Sequence, residues 1–204
     1  MNQMRIVPIV EGHGEVSALP ILLRRIGVEL LGGVYFDVVK PLRCKRDQVV
    51  QRQNNELCQK IDLAVRTLRS FGDGTPGMIL VLIDAECDLP CQLGPQLFLR
   101  ATQCRPDVDM SCVLAAPCYE TWFIAAALSL AEYLDLTTDA ILPESPEHDG
   151  LGKGWIKTRI RRAKYSETSD MPRLTTAMDL IQCRSRSPSF DKLCRELEAR
   201  LIKN

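Results

Sequence analysis

Two spacings of apolar residues alternate along the first 136 positions. Short apolar runs within 5–10, 34–39, 79–83 and 109–115 have the pattern of strands buried on both faces of a parallel sheet. Between them, apolar residues recur every three or four positions: Leu19, Leu22, Leu23, Ile26 and Leu30 within 16–31, then Leu57, Ile61, Val65 and Leu68 within 47–70. That period predicts helices, and further helices are predicted over 95–103 and over the alanine- and leucine-rich 119–134. The glycines and proline of 72–77 mark a break before the third strand. Strands alternating with helices imply a doubly wound, Rossmann-like α/β sheet flanked by helices.

Beyond position 137 the pattern changes. A polar, proline-bearing loop at 143–150 leads into segments with helical spacing and no strand signal. They are a basic helix over 156–164, one over 172–183 with Pro172 near its first turn, and an amphipathic closing helix over 189–202 with Phe190, Leu193, Leu197 and Leu201 on one side. The chain thus divides into an α/β unit, 1–136, and a basic helical extension, 137–204, packed on it as a C-terminal cap. Its 204 residues, 46% hydrophobic, suffice for a substantial core. No apolar run approaches the ~20 residues of a membrane span, and the N-terminus lacks the apolar core of a signal peptide. The sequence therefore reads as a cytoplasmic protein without a membrane partner. Nine cysteines, an odd number, then read as reduced thiols rather than a disulfide framework. Cys87 and Cys91 have no second close pair to complete a zinc site, so most of the thiols read as core packing.

Candidate chemistry gathers where strands end. Positions 79–83 run straight into Asp84, Glu86 and Asp88, at the sheet edge where open α/β folds place their ligands. Three like charges so close are stable only in water or around a shared cation, and oxygen donors favour a hard ion such as Mg²⁺. The first strand ends in Glu11-Gly12-His13-Gly14-Glu15, which puts Glu11 at a strand end and Glu15 in the first turn of a helix. The Gly-x-Gly turn lacks the third glycine of a dinucleotide fingerprint, having Ser17 there, and the Gly-Lys-Ser/Thr ending of a phosphate loop. Sheets of this type would bring Glu11, Asp84 and the turn at 117–120 together. Trp122 and Phe123 read as core anchors, His13 as an exposed turn residue, and His148 as a loop residue without function.

Val10-Glu11-Gly12 before a helix, followed by a strand ending in an Asp-x-Asp-like cluster, resembles the TOPRIM domain of topoisomerases, bacterial primases and OLD-type nucleases. More closely, the chain resembles a family of small uncharacterised bacterial proteins that are TOPRIM-like throughout. The resemblance rests on Asp84-Ala85 to Pro90, Leu93-Gly94-Pro95, Tyr119-Glu120-Thr121-Trp122-Phe123, Lys153-Gly154-Trp155, Tyr165-Ser166-Glu167-Thr168 and Arg186-Ser187-Pro188-Ser189-Phe190-Asp191. It implies a TOPRIM fold and a Mg²⁺- or Mn²⁺-dependent nuclease, with Glu11, Asp84, Glu86 and Asp88 as metal ligands. By the same resemblance, Glu11, Glu15, Asp84, Glu120 and Lys153 would serve catalysis. Glu86 stands where the family has aspartate, which alters the reach of one ligand. OLD-like activity also sits beside an ABC-type ATPase. This chain has no Walker motif, so the resemblance implies a separately encoded ABC/AAA-type ATPase partner and a role in defence against phage or mobile elements.

Charge distribution changes the picture further. From Gly152 onward there are 13 basic residues against six acidic ones, a net of +7 in a chain whose total is zero. An acidic, metal-holding sheet beside a basic extension suits phosphodiester chemistry, with DNA favoured over RNA as partner. Two other readings stand beside it: a non-catalytic TOPRIM-fold adaptor of an ATPase, and a nucleotide-binding α/β protein using the 12–14 turn.

Overall fold

The computed structural model describes residues 3–51, 55–136, 141–162 and 164–202, and the apolar runs form a parallel sheet at its centre. The strands are β1 (Gln3–Val10), β2 (Tyr35–Val38), β3 (Leu42–Arg43), β4 (Gly77–Asp84) and β5 (Met110–Ala115). Their order is β2-β1-β4-β5, with β3 also paired to β1, and every pairing is parallel. Period two sorts the side chains into two layers. Met78, Leu80 and Leu82 of β4 join a core with Leu19, Leu22, Trp122 and Phe190, whereas Ile79, Val81 and Ile83 join another with Ile61, Val65 and Leu97.

The first layer is covered by α1 (His13–Arg25), α5 (Glu120–Ala125) and the C-terminal helices α6 (Lys153–Lys157), α7 (Glu167–Ala177), α8 (Leu180–Arg186) and α9 (Pro188–Leu201). The second is covered by α3 (Glu56–Ser70) and α4 (Pro90–Cys104), with α2 (Arg46–Val50) leading into it. This is the doubly wound α/β fold with a helical cap that the apolar pattern predicts. The cap shares one continuous core with the sheet. Among the described residues, no helix is long and apolar enough to cross a membrane.

Several element limits differ from the periodic pattern for physical reasons. The predicted helix 47–70 is two helices: Gln51 is extended after α2, residues 52–54 lie outside the described residues, and no apolar side chain between Val50 and Leu57 anchors a continuous helix. α4 begins at Pro90 rather than 95, because proline in a first turn forfeits no intrahelical bond. The predicted helix 119–134 stops at Ala126 and tightens into a 3₁₀ turn, Ala127–Leu130, because residues 119–127 are all buried and packing decides their path. The helix predicted over 172–183 is two, broken by extended Met178, with Asp179 capping α8 by accepting the Gln182 N–H at 2.9 Å. The helix predicted over 156–164 is the short α6, after which Ile160 bridges antiparallel to Leu134. Ala163 and the boundary at 137 lie outside the described residues.

One cysteine pair corrects the expectation of free thiols. Cys58 of α3 and Cys104 of α4 are disulfide-bonded, with Cα atoms 5.4 Å apart, while the other seven cysteines are free. The partners are 46 residues apart and meet because α3 and α4 pack on the same face. No sequence spacing carries that information.

Candidate metal centre

The strand order sets the carboxyl ends of β1, β4 and β5 side by side. Glu11 follows β1, Asp84 closes β4, and the turn after β5 leads into α5 through Glu120. Asp84 has the parity of Leu80 and Leu82, so it points into the layer that holds α1 and α5. Its Oδ1 accepts the Tyr119 N–H at 3.0 Å. Glu120 is buried in the first turn of α5, and its Oε1 accepts from the Tyr165 hydroxyl at 3.2 Å. Asp84, Glu120 and Cys118 each bring a ligand atom within 4.8 Å of the others. Glu15, buried in the first turn of α1, folds back against Gly12: a Cβ there would lie 2.3 Å from Glu15 Oε2. The Oε2 of Glu11 is buried with no hydrogen-bond partner.

Among the described residues, none of these four carboxylates forms an ion pair. Burial, then the charges of Glu15, Glu120 and Glu11, hold the Asp84 carboxyl well above its ordinary range, with the Tyr119 N–H pulling the other way. Glu15 is pushed up to about 7, first by burial and then by Glu120, Glu11 and Glu167, against its own backbone N–H. Glu11 is raised by burial and by Glu86, with Arg46 opposing. Burial and the charges of Glu120 and Asp84 push the Cys118 thiol up to about 12, so without a metal it is neutral at physiological pH. It packs where a Cβ on Gly152 would lie 2.5 Å from its Sγ. An orphaned carboxylate oxygen among hard oxygen donors fits a divalent cation such as Mg²⁺ or Mn²⁺.

Lys153 opens α6 at the border of this cluster and is ion-paired with Glu167. Burial lowers its pKa, but the Glu167 contact and the charges of Glu120, Glu167 and Asp84 outweigh that, and the net shift is upward.

Glu86 and Asp88 do not join the four. β4 ends at Asp84, and Glu86 turns into the left-handed region at φ 52°, so the period that would align it with Asp84 is broken. Both side chains are exposed and face Arg46: its Nη1 lies 3.5 Å from Glu86 Oε2, and Nη2 pairs with Asp88. Arg46 also donates to the carbonyls of Asp84 and Ala85, both at 3.0 Å. Sequence reasoning missed this arginine. Its only signal is the basic run Lys40, Arg43, Lys45, Arg46 after the second strand. The missed Cys118 had its signal in standing two residues before Glu120.

Close packing accounts for the Gly-x-Gly turn, since a Cβ on Gly14 would lie 2.1 Å from Met171 Sδ of α7. His13 is exposed and accepts at Nε2 from Arg43 Nη1 at 2.7 Å. Trp122 and Phe123 are fully buried anchors, and the Trp122 indole donates to Ser189 Oγ at 2.8 Å. His148 is exposed in its loop. A separate cavity of about 650 Å³ lies between α4 and α9 along β5, and none of the four carboxylates lines it.

No curated protein and no solved structure gives a significant match to this chain. A family model does, covering residues 10–198, from the residue before Glu11 to the last turns of α9. The chain belongs to that family, the domain of unknown function DUF4276.

Proposed function

We propose that the protein is a metal-dependent TOPRIM-type, OLD-like nuclease that hydrolyses nucleic-acid phosphodiester bonds, DNA before RNA. The observation that carries this reading is Asp84 and Glu120 side by side, with Glu15 and Glu11 near enough for their charges to raise the Asp84 carboxyl, and none of the four with an ion-pair partner among the described residues. Such a cluster is unfavourable by itself and favourable around a cation. In this reading the four hold Mg²⁺ or Mn²⁺. When bound, the ion supplies Lewis-acid polarisation of the phosphate and a water of lowered pKa. Tyr119 N–H and the Tyr165 hydroxyl fix Asp84 and Glu120, so these ligands are oriented before metal or substrate arrives. Glu15, pushed up to about 7, is matched to exchange a proton near neutral pH. Lys153 stands at the border to offset negative charge on the leaving oxygen. Arg46 pairs with both Glu86 and Asp88, and its one positive charge offsets part of their repulsion of the substrate phosphate.

The family resemblance adds a separately encoded ABC/AAA-type ATPase as regulator and phage or mobile-element defence as the setting. Cleavage of supercoiled plasmid, linear DNA and RNA, with Mg²⁺ or Mn²⁺ against chelator, tests the reading. Asp84→Asn and Glu11→Gln should each lose about 10²-fold or more of the metal-dependent cutting while remaining folded. Absence of metal-dependent cutting, even with a candidate ATPase and ATP, would replace this reading with that of a non-catalytic adaptor.

A further inference from the structure

Many of the C-terminal cations, the natural candidates for binding a phosphate backbone, are held in contacts within the fold. Lys153 pairs with Glu167, Arg162 with Asp170, Arg184 with Asp191 and Glu198, Lys192 with Glu196, and Arg200 with Asp109 and Glu196. Arg161 and Arg186 donate to backbone carbonyls, and Arg159 stacks on Trp155 with 4.3 Å to the ring centroid.

The segment at 40–46 has the opposite character. Lys40, Arg43 and Lys45 are exposed, and among the described residues none has an acidic partner. Pro41 and Cys44 of this segment are buried, and the cations beside them, Lys40, Arg43 and Lys45, are turned outward. The register along β1 gains one residue here, because Ile6 is level with Val38 but Ile9 with Leu42. An extra residue with a proline is tolerated at such an edge bulge.

The same segment ends at the carboxylates. Arg43 is level with Val10, the residue before Glu11, and the Cys44 N–H donates to the Val10 carbonyl at 2.8 Å. Arg46 is fastened to the carbonyls of Asp84 and Ala85. Lys40, Lys45 and Arg43, which donates to the His13 ring nitrogen rather than to an acid, thus form an edge strap about 16 Å long, at ~3.3 Å per residue, leading to the acid cluster.

We infer that this strap, and not the basic C-terminal helices, binds the phosphate backbone of a nucleic-acid strand and leads it to the carboxylates. The inference rests on the nuclease reading above for its substrate class. It adds where the strand lies and which side chains hold it.

Binding and cleavage separate the two claims. Fluorescence anisotropy of a labelled 20-base-pair duplex is measured in chelator between 50 and 200 mM salt. Wild-type protein is compared with the triple variant Lys40→Gln/Arg43→Gln/Lys45→Gln and the control Lys157→Gln/Lys164→Gln. Three phosphate contacts contribute about −2.7 to the slope of log K against log salt, or about 40-fold in affinity over that range. The triple variant should lose that part of the slope, the control should stay within about twofold, and thermal melting should be unchanged in both, because all five side chains are exposed. No duplex binding by the wild type, or a triple variant that binds like it, overturns the inference. With bis(4-nitrophenyl) phosphate, which needs no strap, the triple variant should hydrolyse as fast as wild type. Absence of all hydrolysis with strap-dependent binding intact would sink the nuclease reading alone, and plasmid cutting unaffected in the triple variant would sink the strap alone.

Discussion

Replacing Glu15 with glutamine should stabilise the protein at pH 8 in the absence of metal, although it removes a proposed ligand. The Glu15 carboxyl moves from an ordinary 4.5 to about 7 on folding, mainly through burial. A carboxyl whose folded pKa is raised binds more protons in the native than in the unfolded state between those values. Stability is therefore present below about pH 4.5, is lost as pH rises through the window, and is fully lost above 7. The rise from 4.5 to about 7, at ~1.4 kcal/mol per tenfold in proton affinity, corresponds to ~3.5 kcal/mol. Glutamine keeps the shape that fits against Gly12 and does not titrate. Imperfect hydrogen bonding of its amide costs ~1 kcal/mol at every pH, leaving a gain of ~2.5 kcal/mol at pH 8 and a loss of up to ~1 kcal/mol at pH 4.5. For a chain of this size the gain at pH 8 is a rise of ~5–10 °C in Tm. Urea unfolding followed by circular dichroism, in chelator at pH 4.5, 6 and 8, measures it. A difference between variant and wild type that stays flat with pH, or a variant less stable at pH 8, would refute the argument.

Two further outcomes test the packing around the centre. Ser189→Ala should cost about 1–3 kcal/mol in denaturant unfolding, because Ser189 Oγ accepts from the buried Trp122 indole at 2.8 Å and from the Ala116 N–H at 3.3 Å. Gly14→Ala should cost about 1–3 kcal/mol by driving a Cβ toward Met171 Sδ and prising α1 from α7, whereas Gly154→Ala, which meets nothing within 4 Å, should melt like the wild type. Equal melting temperatures for these two glycine variants would contradict the close α1–α7 approach.

The strands were legible because a parallel sheet covered on both faces leaves unbroken apolar runs such as 79–83, a signal that needs no partner to be read. Glu11, Asp84 and Glu120 were legible for a related reason. Once the strands are adjacent, a polar residue at each carboxyl end has one place to go. Glu86 was misplaced because parity holds only while the strand continues, and the left-handed turn after Asp84 leaves no mark on the apolar pattern. Helix breaks at Gln51, Ala126 and Met178 were hidden because an amphipathic period survives a kink that tertiary packing imposes. The Cys58–Cys104 contact and the role of Arg46 depend on which elements pack together, and no spacing within the chain encodes that.

Charge shows the same divide between chain order and space. Counted along the sequence, the excess of positive charge lies beyond Gly152, but most of those side chains are held against acids or carbonyls of their own fold and are not free to reorient toward a partner. Seven residues at the β1 edge, 40–46, carry four cations. There the fold uses only Arg46 for internal contacts with acids, and those acids are Glu86 and Asp88. The pairing ties the two outer carboxylates to an arginine, while among the described residues the inner four have no ion-pair partner and feel Arg46 and Lys153 only at a distance. Ordinary stability gives no reason for that arrangement, since satisfying Asp84 with a nearby arginine would be the favourable solution for folding alone. The unpaired carboxylates are therefore the feature that the proposed metal reading accounts for and folding alone does not.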